Sequence, residues 1–172
     1  MLFPSFAWAD NFLSGATYSV CFTLHEDCTS KVVFAISQAR KQILVQAYSF
    51  TSVPIAKALV DAKRRGINVK ILLDKSQVGT RYSSTIFFEH NGINPGIDYR
   101  PAIAHNKVMI IDNEVVVTGS FNFTKSAATK NAENLLIIHD LALAKKYEEN
   151  WYRREGQSIS SGEYRLLKKK PL

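Results

Sequence analysis

His105 and Lys107 stand two residues apart, just ahead of the run Val108-Met109-Ile110-Ile111. Four consecutive apolar side chains predict a buried strand, and residues two apart on a strand share a face. An imidazole and an ammonium therefore project side by side. An imidazole nitrogen is a competent nucleophile or base, and a fixed ammonium pairs with anionic oxygens. Together they suit attack on a phosphodiester. Asp112 has the opposite parity and is expected at the strand end, off that face, where Asn113 turns the chain.

A His-x-Lys pair alone is a common accident; the wider spacing carries the information. Asp112 follows Lys107 after four residues, and Gly119-Ser120-x-Asn122 follows Asp112 after six more. This compound pattern resembles the HKD motif of the phospholipase D superfamily, extended by that family's G-S-x-N element. Glu133, within Lys130-Asn131-Ala132-Glu133-Asn134, falls where the family keeps an acidic partner. The resemblance runs from about Tyr18 to Trp151, includes Gln46-Ala47-Tyr48-Ser49-Phe50-Thr51, and is strongest toward small bacterial endonucleases with a single motif.

The resemblance implies phosphodiester hydrolysis through a covalent phosphohistidine, without metal or other cofactor. His105 is then the nucleophile, Lys107 the cation on the phosphate oxygens, and Ser120 and Asn122 further hydrogen-bond donors to substrate. Glu133 is expected to accept from the far nitrogen of His105 and fix its tautomer. Asp112 joins this set because the family motif includes it; its parity assigns it mainly to the turn. The departing alkoxide needs a proton from a separate acid. The motif occurs once, so the simplest acid is His105 of a second chain in a two-fold homodimer.

The elements that must position these residues are legible in outline. A strand at 17–23, a helix capped by Thr29 or Ser30 and running to Arg40, and a strand at 43–50 come first. A helix follows from Pro54 to Gly66 with Ile55, Leu59 and Ala62 inward, then a strand at 67–73. This β-α-β-α-β order implies parallel strands covered by helices. A polar, mobile loop is expected at 74–81, a helix at 83–90 and a short strand at 97–99. The motif strand and 114–118 form a hairpin, and 121–130 is an exposed loop or short helix. A strand at 134–139 precedes a helix capped by Asp140, with Leu141, Ala144 and Trp151 as core contacts. The expected fold is α/β: a mixed, largely parallel sheet flanked by helices on both faces, an α-β-α sandwich.

One catalytic domain is expected over 10–155, preceded by a signal-peptide remnant at 1–9 and followed by a flexible basic tail at 156–172. Ala7-Trp8-Ala9 fits a signal-peptidase site, which predicts a periplasmic or secreted protein with Asp10 first. Export favours a disulfide between Cys21 and Cys28; the competing reading is a metal site built from Cys21, His25 and Cys28. The net charge is +7, and residues 1–30 hold three acids and no Lys or Arg, so the remainder carries +10. A basic body suits a polyanion, DNA or RNA. No stretch approaches the ~18 apolar residues of a membrane span, so stable membrane insertion is not expected. The expected activity is a sequence-nonspecific nuclease; a lipid phosphodiesterase and a catalytically silent nucleic-acid-binding module are the alternatives.

Overall fold

The computed structural model describes residues 9–80 and 83–169. The expected cleavage site lies outside these residues, Ala9 apart. The strands are β1 (Thr17–Phe22), β2 (Gln42–Ala47), β3 (Asn68–Asp74), β4 (Gly96–Asp98), β5 (Lys107–Ile111), β6 (Val115–Gly119), β7 (Asn134–His139) and β8 (Ile159–Ser160). The helices are α1 (Cys28–Ser37), α2 (Val53–Arg64), α3 (Thr85–His90), α4 (Lys125–Thr129), α5 (Leu141–Glu155) and α6 (Ser161–Lys169). All eight strands form one open mixed sheet in the order β1-β7-β6-β5-β2-β3-β4-β8.

Parallel pairing is confined to β2–β3 and β3–β4; the other five pairings are antiparallel. The expected mixed sheet with helices on both faces is present, and its parallel part is smaller than expected. The physical reason is connectivity. Helical crossovers link β1 to β4, whereas β5 and β6 are joined by a tight turn, which permits only antiparallel pairing. β1 does not lie beside β2: it is an edge strand, paired to β7.

The two faces have separate cores. Val32 and Ile36 of α1 and Ile55 and Leu59 of α2 pack on Val45, Ile71, Met109 and Val117. On the other face Ala144 and Trp151 of α5 pack on Leu44, Leu72, Ile110 and Val116. Trp151 is fully buried, and its indole N–H donates to the Val45 carbonyl at 2.9 Å. Truncation of such a residue costs about 3–5 kcal/mol. Leu141, expected in this core, is exposed: it is the first residue of α5, beyond the reach of the sheet.

Several local expectations change. Asp27, not Thr29 or Ser30, caps α1, its carboxylate accepting from the Ser30 N–H. Asp140 caps α5 as expected. The described part of the 74–81 segment is anchored rather than loose. Asp74 caps a 3-10 turn, Lys75 donates to the Tyr99 and Pro101 carbonyls, and Gln77 accepts from the Phe50 N–H. The segment after β6 buries Phe121, Phe123 and Ala127. Phe50, Phe88 and Phe123 meet at centroid distances of 5.1 and 5.5 Å. This tilted aromatic contact fixes the loop after β6 to the end of β2.

The basic tail forms β8 and α6, where flexibility was expected. Its residues find distant partners: Arg165 pairs with Glu89 at 2.7 Å and Ser161 also bonds Glu89, while at the end of α5 Arg154 pairs with buried Asp98. No helix of the described residues is long and apolar enough to cross a membrane.

Candidate active site

One end of the sheet gathers the motif. Lys107 opens β5 opposite Ala47 of β2 and shares the parity of Met109 and Ile111, on the α1–α2 face. It is 8% exposed. His105 precedes the strand and is exposed. The predicted pairing of the two holds although His105 is not itself in the ladder: the Lys107 Nζ donates to the His105 carbonyl at 3.0 Å and lies 3.2 and 3.1 Å from Nδ1 and Nε2. The ammonium thus sits against the imidazole, within reach of both ring nitrogens, while His105 as a whole stays exposed. Burial pushes the Lys107 ammonium below the ordinary lysine range, and the Glu133 charge opposes that shift.

Tyr48 was not foreseen as part of this site. Its ring lies 4.6 Å from the His105 ring at a 56° tilt and 5.2 Å from the Lys107 Nζ. It belongs to the 46–51 stretch of the resemblance, and the structure places it directly after β2, the strand beside the motif strand. Such a ring limits the imidazole's rotation and stabilises the cation through its face.

Ser120 and Glu133 come together, in an arrangement different from the expected one. The Ser120 hydroxyl donates to the Glu133 carboxylate at 2.6 Å and accepts from the Asn134 N–H at 3.0 Å. The other Glu133 oxygen accepts from the Asn131 amide at 3.0 Å. The one Ser120 proton is thus committed to Glu133, since a hydroxyl has a single O–H to give. The expected Glu133–His105 hydrogen bond is not formed; Glu133 acts on Lys107 through its charge instead. Gly119 makes this approach possible: its φ is +141°, and a Cβ there would lie 2.3 Å from the Asn134 carbonyl oxygen. That oxygen accepts from the Ser120 and Phe121 N–H groups. Asn122 sits between buried Phe121 and Phe123, and its Oδ1 is buried without a protein partner. An unfilled buried acceptor next to a candidate site leaves capacity for a ligand or water.

Asp112 is not brought to this site. It lies at the opposite end of β5, about 17 Å away along the strand at ~3.3 Å per residue, with a left-handed φ of +54°. Its carboxylate accepts from the backbone N–H groups of Arg40, Lys41 and Gln42 at 2.8, 2.8 and 2.9 Å. The parity reading of Asp112 as a structural turn residue describes it; a place among the reacting groups does not. Cys21 and Cys28 are joined as a disulfide, so neither offers the thiolate that the alternative metal site requires.

The sequence profile of the family described as "Cardiolipin synthase, PLD-like domain" matches residues 32–154. Phospholipase D of Rickettsia prowazekii (strain Madrid E) is 44% identical over 146 residues, covering 85% of this chain and 71% of that one. The crystal structure of a phospholipase D family member, Nuc from Salmonella typhimurium, is 39% identical with a TM-score of 0.80, over 84% of this chain and 97% of that one. NucT from Helicobacter pylori is 25% identical with a TM-score of 0.78, over 84% and 99%.

Proposed function

The chain belongs to the phospholipase D superfamily and is a hydrolase of phosphodiester bonds; from that premise we propose that it is a sequence-nonspecific endonuclease cleaving DNA, RNA or both. The observation that carries the reading is the exposed imidazole of His105 backed by the buried ammonium of Lys107. A ring nitrogen of His105 attacks phosphorus, a P–N bond forms and the P–O bond to the leaving alkoxide breaks. Lys107 offsets charge on the non-bridging oxygens as it develops. Glu133 keeps Lys107 cationic and is itself held by Ser120 and Asn131. From the motif, Asn122 contributes the remaining donor to the phosphate, its side-chain amide N–H.

The alkoxide takes its proton from a second acid, for which each chain offers no second motif histidine. His105 of a second copy is that acid, and the same imidazole then activates water to cleave the P–N bond. A polymeric substrate agrees with the open site and with the basic charge of the chain. The disulfide supports export to a periplasmic or extracellular location.

The name phospholipase D on a 44% identical relative favours a second reading, a lipid phosphodiesterase. One digestion separates the two: protein in excess EDTA with single-stranded DNA, double-stranded DNA, RNA and phospholipid vesicles. The nuclease reading predicts nucleic-acid fragments and intact lipid. Release of a lipid headgroup with intact nucleic acid supports the second reading, and activity that requires Mg²⁺ contradicts the role given to Lys107.

A further inference from the structure

Thr23 lies in the turn between β1 and α1, far in sequence from the motif. It is 4% exposed, and both its hydroxyl and its N–H bond to the segment that carries Glu133. Its hydroxyl donates to the Asn131 carbonyl at 2.6 Å and accepts from the Glu133 N–H at 2.7 Å. Its own N–H donates to the Glu133 carbonyl at 3.1 Å. Asn131 in turn gives its side-chain amide to the Glu133 carboxylate. Thr23 therefore grips both ends of the three-residue turn that aims this carboxylate.

The turn holding Thr23 is itself closed. Cys21 and Cys28 bracket it and are joined by a disulfide, with exposures of 1% and 2%. Leu24, next to Thr23, has a left-handed φ of +71°, which reverses the chain immediately after the gripping residue. A buried hydroxyl with both donor and acceptor capacity filled is expensive to replace by an apolar group, because the Glu133 N–H would lose its partner.

We infer that Thr23 is a positioning residue of the phosphodiesterase site: it sets the place of the Glu133 carboxylate, to which the motif's Ser120 donates. This rests on the reading in which Glu133 supports the Lys107 ammonium. The groups against that ammonium are His105, just ahead of its strand, and Tyr48, just after β2, while Glu133 in the turn before β7 acts on it through its charge. Glu133 is the one anion among them. If it drifts, the burial of Lys107 is less opposed, and the ammonium loses its proton at lower pH.

The test is the pH profile of kcat/KM on bis(p-nitrophenyl) phosphate, a substrate neutral between nucleic acid and lipid. Wild type, Thr23→Ser, Thr23→Val and Glu133→Gln are compared, with thermal unfolding recorded for each. Thr23→Val and Glu133→Gln are expected to move the alkaline limb to lower pH. Thr23→Val lowers kcat about fivefold, the size of one lost hydrogen bond, with KM unchanged. Thr23→Ser keeps the hydroxyl and holds the limb at its wild-type position. A wild-type limb in Thr23→Val, with the limb moved in Glu133→Gln, overturns the inference and leaves Thr23 a structural residue only. A wild-type limb in Glu133→Gln shows that Glu133 does not support Lys107, and both readings fall. If Thr23→Val does not fold, Thr23→Ala against Thr23→Ser makes the same comparison, and a wild-type limb in Thr23→Ala overturns the inference.

Discussion

The two ends of the β5–β6 hairpin carry residues of one sequence motif and do opposite things. At the Asp112 end, a carboxylate is saturated by three backbone N–H groups and closes the turn between α1 and β2 onto β5. At the His105 end, an imidazole faces outward against a buried cation, and Asn122 keeps an unfilled acceptor. A cleft of about 790 Å³ lies at the Asp112 end, lined by Phe34, Ile111, Val115 and Ile137, and His105 and Lys107 do not line it. A motif's spacing identifies a fold element, and only the hydrogen-bond accounting of each member tells a reacting group from a structural one.

The largest effect that can break this comparison is at His105. His105→Ala should lower turnover by at least about 10⁴-fold while the circular dichroism spectrum and DNA binding persist, since the side chain is exposed and affinity for phosphate rests on the basic surface. A heterodimer of wild-type and His105→Ala chains, isolated by a tag, should be nearly inactive on DNA. Half of the wild-type rate would show that each chain works alone. Lys107→Ala should cost about 10²–10³ in kcat, the scale of one preorganised charge-stabilising group. In the wild type, activity should be lost on the alkaline side, as pH rises through a Lys107 value held below the ordinary lysine range by burial.

Smaller effects sharpen the contrast. Glu133→Gln should fold and lower kcat about tenfold, roughly one charge-assisted hydrogen bond, measured on the nitrophenyl diester. Asp112→Asn keeps a residue that tolerates a left-handed φ but removes an acceptor oxygen and the charge. It should lower unfolding stability by about 1–2 kcal/mol in urea and leave kcat of the folded protein unchanged. A kcat loss at Asp112 comparable to that at Glu133 would erase the distinction between the two ends.

What the sequence disclosed follows from what is local. The run 108–111 predicted the buried strand by its periodicity, and the closeness of His105 and Lys107 follows from their two-residue spacing, with the Lys107 ammonium reaching back to the His105 carbonyl. Parity placed Asp112 off the reactive face for the same reason. The place of β1 at the sheet edge, beside β7, depends on pairing across more than a hundred residues, which no local pattern encodes. Helix α6 in the basic tail depends on Glu89, and Arg154 at the end of α5 depends on Asp98, both acids far upstream. Within the site, the same holds for Tyr48 and Thr23: their roles come entirely from partners brought by the fold. Ser120 was found by its motif, but the destination of its proton was set by how close Gly119 lets the chain come to Asn134.

The central claim is that His105 forms a covalent bond to phosphorus, and the stereochemical course at phosphorus tests it most directly. A phosphorothioate diester of single configuration is hydrolysed in ¹⁸O-labelled water, and the configuration of the product is read by ³¹P NMR. Two successive in-line displacements, first by His105 and then by water, each invert the centre, so the account predicts net retention. Net inversion would mean that water attacks directly, and would contradict a phosphohistidine at His105.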